Sequence, residues 1–145
     1  MKLLLVRHGQ TIANTMGALD TDFPGNSLDP TGLSQAASLP DLLGADRLGG
    51  ISSLWTSPIA RARQTIAPLE GVTGLMASID SGLREVLAGD LEMCTDARSV
   101  ACYADTTRAW MIGRTAARLP GSPEDGADPF ARFDAAVGRI ARTTT

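Results

Sequence analysis

Histidine occurs once in this sequence and cysteine twice, so the residues that build zinc centres are scarce. Cys94 and Cys102 have no accompanying Cys/His cluster to complete a site, and they read as free structural thiols. No metal is therefore expected. Charge of one sign is not in excess either: the net charge of −3 and a pI near 5 give no broad cationic field. That argues against an extended nucleic-acid surface. Long apolar runs are also missing. The opening stretch Leu3 to Val6 offers four apolar residues before Arg7, too few for a signal-peptide core or a membrane span. A soluble, cytoplasmic protein is expected, with no membrane partner. Aromatic residues make up only 4% of the chain, while alanine is abundant, which suggests small-residue packing between helices and sheet.

What is present suffices for one domain over residues 1–145, with 43% hydrophobic residues to form its core. Leu3-Leu4-Leu5-Val6 is continuously apolar, as a central strand covered on both faces requires. Gly17 to Asp29 has turn composition. Asp29 is a good N-cap with Pro30 in the first helical position, Gly44 closes that helix, and Pro40 should kink or shorten it. Ile51 to Thr56 reads as a second strand, followed by a helix capped at Ser57-Pro58 and running to about Pro68. Its apolar positions Ile59, Ala62, Ile66 and Leu69 would form one buried stripe. Leu75 to Ile79 reads as a short third strand. Thr95 to Leu119 suggests two helices broken around Asp105, forming a cap. Asp128-Pro129 opens a last helix with Phe130, Phe133, Val137 and Ile140 on one face. Strands alternating with helices predict an α/β fold, three-layered, with a mostly parallel central sheet and helices on both faces.

Three segments carry candidate chemistry. Arg7-His8-Gly9 follows the first strand, and ligands in open α/β sheets bind beyond the carboxyl ends of strands. An imidazole with one ring nitrogen bonded to backbone can present the other as a nucleophile to phosphorus. Arg61 and Arg63 stand near the start of a helix, where the dipole favours acidic groups. An anion should offset them, and a phosphate would do so; Arg63 reads as solvated surface. Leu83-Arg84-Glu85 is followed by Gly89-Asp90-Leu91-Glu92. A carboxyl group beside bound phosphate can protonate a leaving-group oxygen, and Glu85 is the candidate.

Taken together and in this order, these segments resemble the histidine phosphatase superfamily, which includes the cofactor-dependent phosphoglycerate mutases. Arg7-His8-Gly9-Gln10-Thr11 with Asn14 is similar to the nucleophile motif, with Gln10 where many members carry glutamate. Leu28-Asp29-Pro30-Thr31-Gly32-Leu33-Ser34-Gln35-Ala36 is similar to the segment after the first loop. Ser57-Pro58 with Arg61-Ala62 and Gln64-Thr65 resembles the phosphate-pocket helix, and Leu83-Arg84-Glu85 with Gly89 and Glu92 the proton-donor segment, with Met93 where glycine is common. The resemblance implies a phosphatase that hydrolyses small phosphate monoesters through a phosphohistidine intermediate. His8 and Glu85 would be catalytic, and Arg7, Asn14 and Arg61 would bind phosphate. No metal or cofactor is implied, and the partner is a small phosphorylated substrate rather than nucleic acid.

The sequence departs from the family in lacking a second histidine, normally carried by a strand after the last helix. Phe130 to Arg142 resembles that last helix, so a continuation supplying the strand and histidine is expected. Two other functions compete. A cofactor-dependent phosphoglycerate mutase is disfavoured by the small segment between Asp90 and Phe130. A non-catalytic phosphate-binding module would be favoured if no second histidine exists. Substrate identity and oligomeric state stay open.

Overall fold

The chemistry expected at Asp29-Pro30 is what begins the longest helix. In a computed structural model that describes residues 2–143, α1 spans Ile12–Met16 and α2 spans Pro30–Leu48. The Asp29 carboxylate accepts the Gly32 amide at 2.8 Å, a cap that contributes about 1 kcal/mol. Gly44 leaves helical geometry at φ 73° and ψ 160°, so α2 is two helical pieces joined at a kink. Pro40, expected to kink or shorten the helix, sits inside it without ending it. The change of direction comes instead from the left-handed φ that glycine alone adopts freely.

The sheet is smaller than expected. β1 (Trp55–Thr56) pairs in parallel with β2 (Ser78–Ile79), with Trp55 opposite Ser78 and Thr56 opposite Ile79. Only the ends of the segments 51–56 and 75–79 are therefore strand. Leu3 to Val6 enters no ladder among the described residues, and its side chains are 44%, 53%, 75% and 47% exposed. The expected central strand is thus corrected to an unpaired apolar segment. A strand needs a neighbour to pair its peptide groups, and this segment forms no ladder or bridge with any described one.

α3 runs Ala60–Thr73, past Pro68, to a left-handed Gly74. It starts two residues later than the Ser57-Pro58 signal predicts. The Ser57 hydroxyl reaches the Ile59 amide only at 3.4 Å, and the Ala60 amide donates instead to the Pro24 carbonyl at 3.0 Å. The buried line of α3 is Arg61, Thr65 and Leu69, not the apolar stripe expected, because Ala62 and Ile66 are only half-buried. α2 packs on α3, and the core gathers Ala36, Leu54, Ile59 and Leu69 with Leu28 from the preceding loop. α4 is one continuous helix, Ala97–Met111, capped by Asp96 on the Ser99 amide. The expected break at Asp105 is absent: Asp105 pairs with Arg108 on the solvent face at 2.8 Å, so the polar residues there mark an outer face.

The last helix, α5, spans Ala127–Thr143 and docks on a short 3-10 turn, Ser81–Leu83, that follows β2. Its buried residues are Pro129, Ala136 and Ile140, whereas Phe130 and Phe133 are largely exposed, correcting the predicted stripe. Two arginines fix the docking. Arg139 grips Asp80 through Nε and Nη2, both at 2.8 Å, and those bonds hold the Asp80 carboxyl below the ordinary carboxylate range. Arg132 donates to the carbonyls of Gly82, Arg84 and Glu85 at 3.2, 2.6 and 2.9 Å, while its Nε pairs with Glu124 at 3.1 Å. One planar guanidinium therefore sets the backbone path that delivers Glu85.

Two outcomes are expected from this packing. Met93 adopts φ 59°, a left-handed conformation costly for a side chain with a Cβ; Met93→Gly should raise stability by about 1 kcal/mol in denaturant unfolding. Arg132→Met strips three carbonyls and Glu124 of a charged donor and should lower stability by about 2–3 kcal/mol. Arg132→Lys, a point charge unable to serve three carbonyls at once, should recover only part of that loss by the same measurement.

Candidate active site

Glycine at positions 9 and 32 lets two backbones meet. A Cβ on Gly9 would stand 2.6 Å from the Gly32 carbonyl oxygen, and one on Gly32 would collide with the Gln10 backbone. The segment after His8 thereby rests on the first turn of α2. The Gly9 amide donates to the Thr65 hydroxyl at 3.0 Å, and that hydroxyl donates to the Arg61 carbonyl at 2.7 Å, tying the segment to α3. The Gln10 amide donates to Gln35 Oε1 at 2.9 Å, and the Gln10 side chain donates to Asp29 Oδ2 at 3.0 Å. With Asp29 held below its ordinary range by the Gly32 amide and by Gln10, a glutamate at position 10 would oppose two carboxylates. Gln10 thus gives Asp29 a donor, which a glutamate could not.

His8 is half-buried at the tip of this pinned segment. Its Nδ1 lies 2.7 Å from the Gly9 carbonyl, which can only accept, so Nδ1 carries the proton and Nε2 keeps its lone pair. Burial, and then the charges of Arg61 and Arg7, hold the imidazole pKa below its ordinary 6.5, against opposing effects of the Gly9 bond and Glu85. A neutral imidazole with one nitrogen oriented by backbone is the form that attacks phosphorus.

The charges of Arg7, Arg61 and Glu85 all bear on His8. Arg7 is exposed beside it. Arg61 is 4% exposed and already holds an anion, but that anion is a side chain. Its Nη1 pairs with Asp20 Oδ2 at 3.1 Å and its Nη2 donates to the Asp20 carbonyl at 2.9 Å. The offset expected from phosphate is thus supplied by Asp20, with side chains 5% and 7% exposed. Arg63 is exposed. Glu85 is exposed, with Oε1 accepting the Val86 amide at 3.0 Å. Asn14 closes a capping box with Thr11: its Oδ1 accepts the Thr11 amide at 3.0 Å and its amide donates to the Thr11 hydroxyl at 3.2 Å. Asn14 therefore stiffens the turn after His8, with no described bond from its Nδ2.

Several residues that shape the site carried no local signal. Asp20 lies in a stretch read only as loop, and its pairing with Arg61 spans 41 residues. Glu92 is consumed by that loop: its carboxylate accepts the Thr21 and Asp22 amides at 2.8 and 3.1 Å and the Thr21 hydroxyl. The Thr21 hydroxyl in turn accepts the Ala88 amide at 2.8 Å. The loop 17–29 is thus stapled to the segment following Glu85. Thr65 stood in a quoted motif, yet only the fold shows its hydroxyl bridging two elements.

Among the described residues, no three His, Cys, Asp or Glu side chains gather to hold a metal ion, and no helix is long and apolar enough to cross a membrane.

The chain is 33% identical over 141 residues to the PE-PGRS family protein PE_PGRS11 of Mycobacterium tuberculosis, covering 93% of this chain and 24% of that protein. It is also 33% identical over 143 residues to the glucosyl-3-phosphoglycerate phosphatase of Mycobacterium tuberculosis, covering 96% of this chain and 60% of the relative. A solved mycobacterial glucosyl-3-phosphoglycerate phosphatase in complex with VO3 superposes with a TM-score of 0.72 at 28% identity, over 93% of this chain and 64% of that one. The chain thus spans less than two thirds of the length of each relative. The sequence model of the histidine phosphatase superfamily (branch 1) matches residues 3–145, and the chain belongs to that family.

Proposed function

We propose that this chain acts as a phosphatase on small phosphate monoesters, forming a phosphohistidine at His8. The observation that carries the reading is the imidazole itself: Nδ1 is committed to the Gly9 carbonyl, Nε2 is open, and two guanidiniums and a carboxylate act on the ring. Nε2 attacks phosphorus while the bond to the leaving oxygen breaks, and Glu85 gives that oxygen its proton. Water then attacks the phosphohistidine, the N–P bond breaks, and inorganic phosphate leaves. Arg7 supplies positive charge to the transferring group, Arg61 stands behind it as a guanidinium already paired with Asp20, and Asn14 Nδ2 donates to one of its oxygens. Two of the relatives, a curated protein and a solved structure, are named as phosphatases, which supports the reaction class. A second reading is favoured by one observation: the sequence contains a single histidine. Without another, the site would hold phosphate and turn over poorly or not at all.

Incubation with a labelled monoester should place acid-labile phosphate on His8, and His8→Ala should abolish both labelling and hydrolysis while the circular dichroism spectrum is unchanged. Anion binding without labelling would select the binding module. The lowered imidazole pKa sets a pH dependence. The folded protein keeps His8 neutral where the unfolded chain, titrating near 6.5, is protonated. The labelling rate should therefore persist as pH falls through 6.5 and drop only below it. The stability contribution, complete above 6.5, should decline over the same acid range. Rate and unfolding midpoint measured from pH 8 to pH 5 check both.

A further inference from the structure

A cleft of about 420 Å³ opens between α4 and α5, with Glu85 in its wall. Its size falls in the range of small-molecule sites, roughly 300–1,000 Å³. Val86, Tyr103, Trp110, Met111, Phe130 and Phe133 give it apolar surfaces. The polar handles on those walls are occupied elsewhere. The Tyr103 hydroxyl donates to the Val86 carbonyl at 3.2 Å, and Trp110 Nε1 donates to the Ala117 carbonyl at 2.8 Å. Thr107 donates within its own helix, and the Arg132 guanidinium is spent on three carbonyls and Glu124. A polyol entering here would meet almost no open partner except Arg84 and Glu85 at one end. Met111, Phe130 and Phe133 are 73%, 52% and 42% exposed and all line the cleft. An apolar guest would remove them from water.

Glu85, the proton donor of the proposed reaction at His8, stands in the wall of this cleft. From this continuity we infer that the cleft receives the leaving group of the substrate, and that this group is apolar, an aryl or branched alkyl moiety esterified to phosphate. The inference rests on the phosphatase reading, because Glu85 must face the leaving oxygen for the cleft to hold what that oxygen carries. The phosphoryl end then lies at His8, and the apolar end lies against the two phenylalanines of α5.

Binding of hydrolysis-resistant probes to the full chain, followed by calorimetry, separates the two claims. Methylphosphonate reports the phosphate site alone, and phenylphosphonate adds one ring. Phenylphosphonate should bind roughly tenfold to a hundredfold tighter. Met111→Asp, at an exposed position whose replacement does not disturb the core, should bring phenylphosphonate down to the affinity of methylphosphonate. Equal affinities for the two probes in the unaltered protein would overturn the cleft while leaving the phosphate site standing. Binding of neither probe would remove the phosphate reading and the cleft with it. A ring preference that survives Met111→Asp would overturn the cleft by placing the ring elsewhere. Concentration-dependent self-association in sedimentation, lost in Met111→Asp, would also overturn it by making a second copy of the chain the occupant.

Discussion

One hydroxyl group joins the parts on which the site depends. Thr65, buried in α3, accepts the Gly9 amide and donates to the Arg61 carbonyl one turn earlier. A buried amide left without such a partner costs about 1–3 kcal/mol, so the segment has a strong reason to stay where the hydroxyl is. Because the Gly9 carbonyl orients the His8 ring, the direction of the imidazole is inherited from α3 through two hydrogen bonds. Gly9 and Gly32 complete the constraint from the other side, since any side chain at either position would force α2 away from the loop.

Charge in this region is arranged in layers. Beneath the surface, Asp20 and Arg61 neutralise each other, and the Asp20 carboxylate also takes two donors from Asn26. A buried pair is tolerable when its remaining hydrogen-bonding capacity is filled in this way. Above it lie Arg7, His8 and Glu85, with no described ion pair among them. The lower layer gives rigidity and a guanidinium already desolvated at its position; the upper layer stays available to a ligand.

What could be read from the sequence was local. The Asp29-Pro30 start and the interruption at Gly44 depend on one turn of chain and are legible, although the helix resumes beyond Gly44 and runs to Leu48. The motif residues His8, Arg61 and Glu85 could be picked out because each stands within a short recognisable string. Partnership across distance was not legible. Leu3 to Val6 has a composition suited to a covered strand, but composition does not supply the neighbouring ladder. Asp20 has no periodicity or cap to single it out, and Arg132 looks like any helical arginine until α5 docks. The misplaced break at Asp105 has the opposite cause: a polar stretch was taken as an interruption when it is the watered side of an unbroken helix.

The contact between Gln10 and Asp29 has a bearing on how such sequences can drift. An amide facing an ionised carboxylate is a complementary couple; a glutamate in place of the amide is admissible only when its partner loses its charge or moves off the helix start. Positions 10 and 29 are therefore coupled through charge. A descendant that acquires glutamate at the first should carry serine, threonine or asparagine at the second, each of which still caps a helix without contributing a negative charge.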